Sequence, residues 1–186
     1  MKRGTMTTWR AILAVGTATL LGTAAPSLAQ QPGGNADPAD VETLDGIMGA
    51  LYESISGPAG APRDWVRLRS LLAPGARFIP TGQAQDGSTR LRALDVDGYI
   101  EAAGPGLVAN GFFETEIGRV VERFGAVVHL MSAYESRNAA DDPEPFMRGV
   151  NSIQLLDGGD RWWIVTIFWA NETGDNPIPE RLLDGG

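Results

Sequence analysis

The feature that most constrains the fold is the concentration of strand-forming segments in the second half of the chain. Four segments, 112–123, 126–136, 148–156 and 161–169, are rich in β-branched and aromatic residues. The last two flank residues 157–160, Asp-Gly-Gly-Asp, a strong hairpin signal because glycine supplies the positive φ that a tight turn needs. This half of the chain therefore predicts a sheet of long antiparallel strands.

A two-residue turn at Gly158 and Gly159 predicts which residues of the last two strands share a face. One face then carries Asn151, Ile153, Leu155, Trp162, Ile164, Thr166 and Phe168. The other carries Arg148, Val150, Ser152, Gln154, Trp163, Val165, Ile167 and Trp169. Neither face is polar enough to be left bare to water, so we expect both to be covered.

The first half of the chain predicts helices. Apolar residues at steps of three and four from Val41 to Ile55, after a cap at Asp37, indicate one amphipathic helix. Shorter helices are predicted over 63–72 and, after a cap at Asp95, over 96–108, where Gly104-Pro105 should break or kink the helix. Residues 76–79 indicate a short strand and 81–88 a loop. Helices first and strands last predict an α+β domain.

The N-terminus has the pattern of a cleavable export signal. The first ten residues carry three basic residues and no acid, a short apolar run follows to residue 25, and Ser27 and Ala29 are small residues at the cleavage positions. The alternative is a retained anchor helix, but the run is short for a membrane span. We expect a signal peptide over 1–29, a mature N-terminus at Gln30 in the periplasm or secreted medium, and no stable membrane association after cleavage.

The mature part then divides into a flexible segment, 30–36, one domain over 37–173 and an irregular tail over 174–186. The formal net charge of the whole chain is −8. The charge of the mature part is about −11, because the signal contains three basic residues and no acid. An acidic surface repels phosphate backbones and anionic lipid, so nucleic acid and membranes are not expected partners.

Missing residue types exclude several chemistries. The chain has no cysteine, its one lysine is Lys2 in the signal, and its one histidine is His129. Disulfides, thiol nucleophiles, Schiff-base lysine chemistry and zinc sites built on thiolates or several histidines are therefore impossible in the mature protein. We predict no metal and no cofactor.

Four stretches resemble the nuclear-transport-factor-two-like (NTF2-like) superfamily, and within it a bacterial SnoaL-like group. They are residues 111–114 (GFFE), 132–137 (SAYESR), 148–155 (RGVNSIQL) and 159–163 (GDRWW). The resemblance implies a cone-shaped α+β fold, in which three N-terminal helices pack on a curved antiparallel sheet and enclose a pocket, often as a homodimer. The superfamily contains isomerases, cyclases, epoxide hydrolases, dehydratases and many non-enzymes, and neither its ketosteroid-isomerase nor its epoxide-hydrolase pattern can be mapped onto this sequence.

A small set of polar residues on the predicted sheet and on the helices that should cover it forms the candidate ligand site. The set is Tyr52, Tyr99, His129, Tyr134, Asn151 and Thr166. His129 is the one side chain that titrates near neutral pH without any perturbation, although a strand histidine bonded to a neighbour is the commoner case. Glu114 and Glu116 share a strand face and could divide acid and base roles, but we expect them at a solvated edge.

These observations leave three hypotheses for function. The first is an exported domain that binds a small, largely apolar molecule without transforming it. The second is an isomerase, cyclase or hydratase-like enzyme with His129 as general base and Tyr134 or Asn151 polarising a carbonyl. The third is an interaction module whose pocket is filled by side chains. A homodimer is also expected, through the outer apolar stripe of Trp163, Val165, Ile167, Trp169 and Val150, unless the tail covers that stripe.

Overall fold

The computed structural model describes residues 35–83 and 86–183, and most of its helical residues precede the last four strands. The helices are α1 (Pro38–Val41), α2 (Leu44–Ile55), α3 (Trp65–Leu71) and α4 (Val96–Asn110), with a 3-10 helix at Glu180–Leu182. The strands are β1 (Leu72–Gln83), β2 (Thr89–Leu91), β3 (Phe113–Phe124), β4 (Val127–Arg137), β5 (Met147–Asp157) and β6 (Trp162–Asn171). The signal peptide and nearly all of the flexible segment predicted at the N-terminus lie outside the described residues. No helix in the two described ranges is long and apolar enough to cross a bilayer.

The first predicted helix is divided into two short helices by side-chain caps. Asp37 accepts a hydrogen bond from the amide of Ala39 at 3.0 Å and begins α1. Thr43 accepts one from the amide of Gly46 at 2.9 Å and begins α2. A threonine at this position satisfies an amide that has no partner inside the helix, so the chain restarts a helix there.

Helix α4 continues through Pro105, where the sequence predicted a break or kink. Asp95 caps it as predicted, accepting from the amide of Gly98 at 2.8 Å. Pro105 removes the bond to the carbonyl of Glu101, but that residue is exposed and water can satisfy it. The helix is also fixed by packing, since a Cβ at Gly104 would lie 3.2 Å from the ring of Trp65.

The six strands form one sheet in the order β2-β1-β6-β5-β4-β3. β1 pairs in parallel with β6, with Leu72 opposite Ile164 and Phe78 opposite Ile167, while the other neighbouring strands are antiparallel. The α+β class is confirmed, but the sheet is mixed and the prediction of a wholly antiparallel sheet is wrong. The difference arises at β1. This strand is 12 residues long and pairs with a strand distant in sequence, whereas the sequence indicated only a short strand over 76–79.

The β5–β6 hairpin has a four-residue turn, residues 158–161, in place of the predicted two-residue turn. Asp157 pairs with Trp162, and the amide of the first turn residue donates to the carbonyl of the last at 2.9 Å. Leu155 therefore lies opposite Ile164. A two-residue turn would have placed Leu155 opposite Trp162, so the predicted pairing of these strands is wrong. The Gly-Gly signal marks a turn but does not fix its length.

A β-bulge at Val165 changes the facing of the second half of β6. The bulge adds one residue to this strand, so Ile164 and Ile167 both face the core, with 0% and 5% of their surface exposed. Trp169 follows Ile167 onto the inner face, and Phe168 lies on the outer face with 42% of its surface exposed. The outer stripe predicted from simple alternation is therefore wrong for Ile167 and Trp169.

The main hydrophobic core lies between the helices and the inner face of the sheet. Ile47 of α2, Leu68 of α3 and Leu130, Ile153 and Ile164 of the sheet are completely inaccessible to solvent. Side chains alternate across β4 and β5, so the intervening residues of these strands point to the outer face.

The C-terminal tail packs on part of the outer face. Ile178 and Leu182 are 8% and 2% exposed and form a second, smaller core with Ala133 of β4. The amide of Ile178 donates to the carboxylate of Glu172 at 2.8 Å, which holds the tail against the end of β6. The tail is mostly irregular, and it covers one region of the sheet that was expected to need a partner.

Candidate functional site

A cavity of about 180 Å³ lies between helices α2 and α4 and the inner face of the sheet. Its apolar lining consists of Leu51, Ile55, Phe78, Ala103, Leu107, Phe112, Met147, Ile167 and Trp169. Its polar lining consists of Tyr52, Tyr99, Glu114, Tyr134 and Asn151. A largely apolar wall with a few convergent polar groups is typical of small-molecule sites.

Glu114 is the charged residue of this lining. Ser136 donates to one carboxylate oxygen at 3.1 Å and the amide of Asn151 donates to the other at 3.4 Å. Burial raises the pKa of the Glu114 carboxyl to about 7, although the hydrogen bonds from Ser136 and Asn151 oppose that shift. At neutral pH this group is therefore close to half-ionised.

A hydrogen-bonded chain leads from Asn151 towards the surface at β3. The amide of Asn151 donates to the hydroxyl of Tyr52 at 3.2 Å, and that hydroxyl is 2.7 Å from Ser132 Oγ. Ser132 donates to Glu116 at 2.5 Å, so its own hydroxyl accepts the hydrogen bond from Tyr52. Glu116 is in turn paired with Arg119 at 2.6 Å.

Two aromatic rings complete the wall beside α4. Tyr99 is stacked on Phe78, with ring centroids 4.4 Å apart, and meets Trp169 edge-on at 6.3 Å. Burial and the nearby charge of Glu114 raise the pKa of the Tyr99 hydroxyl, so it stays a neutral phenol across the physiological range. The bulge at Val165 is what brings Trp169 to this position.

Tyr134 closes the cavity from the sheet side. Its hydroxyl donates to the side-chain oxygen of Asn171 at 2.9 Å, and its ring is 1% exposed. Burial, and then the charge of Glu114, raise the pKa of Tyr134. The burial of Tyr52 likewise raises the pKa of its hydroxyl, so all three tyrosines of the lining remain protonated.

The structure brings four of the six predicted site residues together and separates the other two. Tyr52, Tyr99, Tyr134 and Asn151 line the cavity. His129 and Thr166 lie in one row across the outer face, each opposite Gln154, because both alternate with buried inward-facing residues. His129 Nε2 is 2.9 Å from Ser152 Oγ, a neighbour on that same outer face. These two positions correct the prediction that they line the cavity, and His129 cannot act there as a general base.

Glu114 is the functional candidate that sequence analysis placed in the wrong environment. Its sharing of a strand face with Glu116 was visible, and both do face inward. The expectation of a solvated edge failed for Glu114 because the helices cover that end of β3. The sequence did contain a sign that these carboxylates face inward. Hydrogen-bonding partners for them lie on the same inner face of the sheet, at Ser132, Ser136 and Asn151.

The arrangement can hold an uncharged or positively charged group against Glu114, and can exchange a proton with it near neutral pH. Among the described residues, no three histidine, cysteine, aspartate or glutamate side chains are grouped to hold a metal ion.

Comparisons with solved structures identify the fold. A protein with a cystatin-like fold from Nostoc punctiforme matches with a TM-score of 0.52 and 8% identity, over 70% of this chain and 90% of its own. An NTF2-like protein from Shewanella baltica matches with a TM-score of 0.44 and 12% identity, over 71% and 98%. A candidate ketosteroid isomerase from Kribbella flavida matches with a TM-score of 0.41 and 13% identity, over 77% and 87%. No protein-family model and no curated protein matches the chain.

At 8% identity the likeness to the cystatin-like protein shows the fold alone, and TM-scores of 0.44 and 0.41 are too low to establish a shared fold. The chain therefore has an α+β fold of the cystatin-like kind, which agrees with the α+β class predicted from the sequence. Because this fold supports many activities, the function has to be argued from the residues of the cavity.

Proposed function

We propose that this chain is an exported domain that binds a small, largely apolar molecule in the cavity between α2, α4 and the sheet. The observation that supports binding is the cavity itself, which side chains leave open and line mainly with apolar and aromatic groups. The export part rests on the signal pattern of residues 1–29. N-terminal sequencing should find Gln30 first, and a protein that still begins at Met1 would contradict cleavage of the signal.

The size of the cavity limits the ligand. Its volume is about 180 Å³, whereas sites for drug-sized molecules span roughly 300–1,000 Å³. A cavity of about 150 Å³ accepts one benzene ring. We therefore expect a molecule with a single ring or a chain of similar bulk. An access route is offered by a more open depression at the end of α4, which has Phe146 on its rim. It shares with the cavity the residues Ala103, Leu107, Phe112 and Met147.

Small neutral ring compounds should raise the melting temperature of the domain. Benzyl alcohol at ten times its Kd should stabilise the protein by about 1.4 kcal/mol, or raise the melting temperature by about 4 °C. Ala103→Leu adds a side chain to the cavity wall and should abolish the shift. Ala102→Leu, one residue earlier on the exposed side of α4, should retain it. Equal shifts in both variants would place binding elsewhere.

A proton-transfer enzyme is the second candidate, now with Glu114 in place of His129. The supporting observation is a carboxyl in the cavity whose pKa is raised to about 7, beside the amide of Asn151. Cyclohexanone in D₂O discriminates the two functions. Exchange of deuterium into the carbon next to its carbonyl, dependent on Glu114, would favour the enzyme, and binding without exchange favours the binding domain.

We also propose a homodimer through the part of the outer face that the tail leaves uncovered. Val165 and Phe168 are 36% and 42% exposed there, on a central strand of the sheet, while Val150 packs against the tail. A second copy related by a two-fold axis would cover these apolar side chains with its own.

Sedimentation equilibrium at micromolar concentration should report a dimer. Phe168→Thr should shift it towards monomer, because it removes the largest exposed ring of the patch. Val66→Thr, at a 72% exposed position on α3, should leave the dimer intact. A wild-type protein that is strictly monomeric would contradict the proposal.

A further inference from the structure

Most partly buried carboxylates among the described residues have a cationic partner, but Glu114 has none. Asp40 is paired with Arg67 at 2.7 Å, Glu116 with Arg119 at 2.6 Å, and Glu172 with Arg148 at 3.2 Å. The carboxylate of Glu114 receives only neutral donors, a hydroxyl and an amide. No arginine, lysine or histidine is among the residues described as lining the cavity.

The same cavity is unusually rich in aromatic rings. Six of its lining residues are aromatic: Tyr52, Phe78, Tyr99, Phe112, Tyr134 and Trp169. The faces of such rings carry negative electrostatic potential and attract cations, tryptophan most strongly. The carboxylate and the rings therefore favour the same sign of charge in the ligand, and they disfavour an anion.

We propose that the cavity binds a small organic ammonium ion of about one ring in size, with its nitrogen held by Glu114 and its carbon skeleton against the aromatic wall. This inference rests on the proposed function, because it names the ligand class of that same cavity. The ligand supplies the positive charge that the protein does not place beside Glu114. The charge-assisted hydrogen bond is stronger in this partly buried site than it would be in bulk water.

The charge state of Glu114 makes this binding depend on pH in a defined direction. An ammonium ion needs the carboxylate, whereas a neutral carbonyl ligand would need the protonated acid as donor. The groups that face Glu114 are Tyr52 from α2, Tyr99 from α4, Tyr134 and Ser136 from β4 and Asn151 from β5, with Glu116 further along β3. The tyrosines stay neutral, so the carboxyl of Glu114 is the cavity group expected to titrate between about pH 5.5 and 8.

The test is calorimetric titration with benzylamine, which stays protonated over this range, and with benzyl alcohol as its neutral counterpart. With a carboxyl pKa of about 7, the ionised fraction at pH 5.5 is about 3%, so benzylamine should bind about 30-fold more tightly near pH 8. Near pH 6.5 binding should also release a proton to the buffer. The affinity for benzyl alcohol should not rise with pH.

Glu114→Gln removes the charge but keeps a side chain of the same shape, and should abolish the pH dependence and most of the affinity for benzylamine. Glu101→Gln removes an exposed charge from α4 and should change neither. If benzyl alcohol binds and benzylamine does not bind more tightly at high pH, the ammonium inference is wrong and the proposed function stands. If neither compound binds, both are wrong.

Discussion

Raising the pH from about 5 to 8 should destabilise the wild-type domain by about 2–3 kcal/mol more than the Glu114→Gln variant. The pKa of the Glu114 carboxyl is about 7 in the folded protein, above the value of 4.5 for a solvated glutamate. Between these two values the folded state holds a proton that the unfolded state has released. The stability that Glu114 contributes is therefore complete below about pH 4.5 and is lost as the pH rises through 7.

Urea unfolding at several pH values measures this effect directly. Other carboxylates titrate in the same range, so the quantity of interest is the difference between wild type and Glu114→Gln at each pH. That difference should change steadily between pH 5 and 7 and then level off. Glu101→Gln, which removes an exposed carboxylate of α4, should run parallel to the wild type. Parallel curves for Glu114→Gln as well would mean that water reaches the carboxylate freely.

The same experiment bears on the ligand. A bound ammonium ion would stabilise the ionised carboxylate and lower the pKa of Glu114 towards its ordinary value. The alkaline loss of stability should then shrink when benzylamine is present and persist with benzyl alcohol. The empty site lowers the stability of the domain at alkaline pH, and a bound ammonium ion would restore it. Such a site is consistent with selection for binding at the expense of stability.

The sequence predicted the four long strands and most of the helices because those elements follow local rules. The strand-forming segments of the sequence agree closely with the observed bounds of β3 to β6. The side chains of Asp37 and Asp95 cap their helices as predicted. The parallel pairing of β1 with β6 could not be predicted, since it joins segments distant along the chain. The bulge at Val165 could not be predicted either, because strict alternation has no signal for one extra residue.

The candidate site shows the same division between local and long-range information. Tyr52, Tyr99 and Asn151 were assigned to the cavity because each lay on an element expected to face the core. Thr166 failed because the bulge reverses its facing. Glu114 was assigned to solvent because burial of a strand end depends on which helix covers it, and the pattern within one strand does not contain that information.

Gly149→Ala should destabilise the domain by about 3 kcal/mol, or lower its melting temperature by roughly 10 °C. Gly149 lies on β5 between Tyr134 and Asn171 of the neighbouring strands. A Cβ at this position would lie 2.5 Å from the carbonyl oxygen of Ala170 and 2.6 Å from Cζ of Tyr134, and closer still to the tyrosine hydroxyl. Backbone on one side and a fully packed ring on the other leave the methyl group no room.

Tyr134 cannot move aside without affecting the site. Its hydroxyl is bonded to Asn171 and its ring forms one wall of the cavity, so displacement should weaken benzylamine binding as well as folding. Gly49→Ala is the matched control, because Gly49 is an exposed residue of α2 whose Cβ would contact nothing within 4 Å. Alanine there should stabilise the helix by about 0.5–1 kcal/mol and leave binding unchanged. A free energy of unfolding for Gly149→Ala within about 1 kcal/mol of the wild-type value would contradict this prediction. It would mean that β5 can shift away from Tyr134 and that the cavity wall is less rigid than this packing requires.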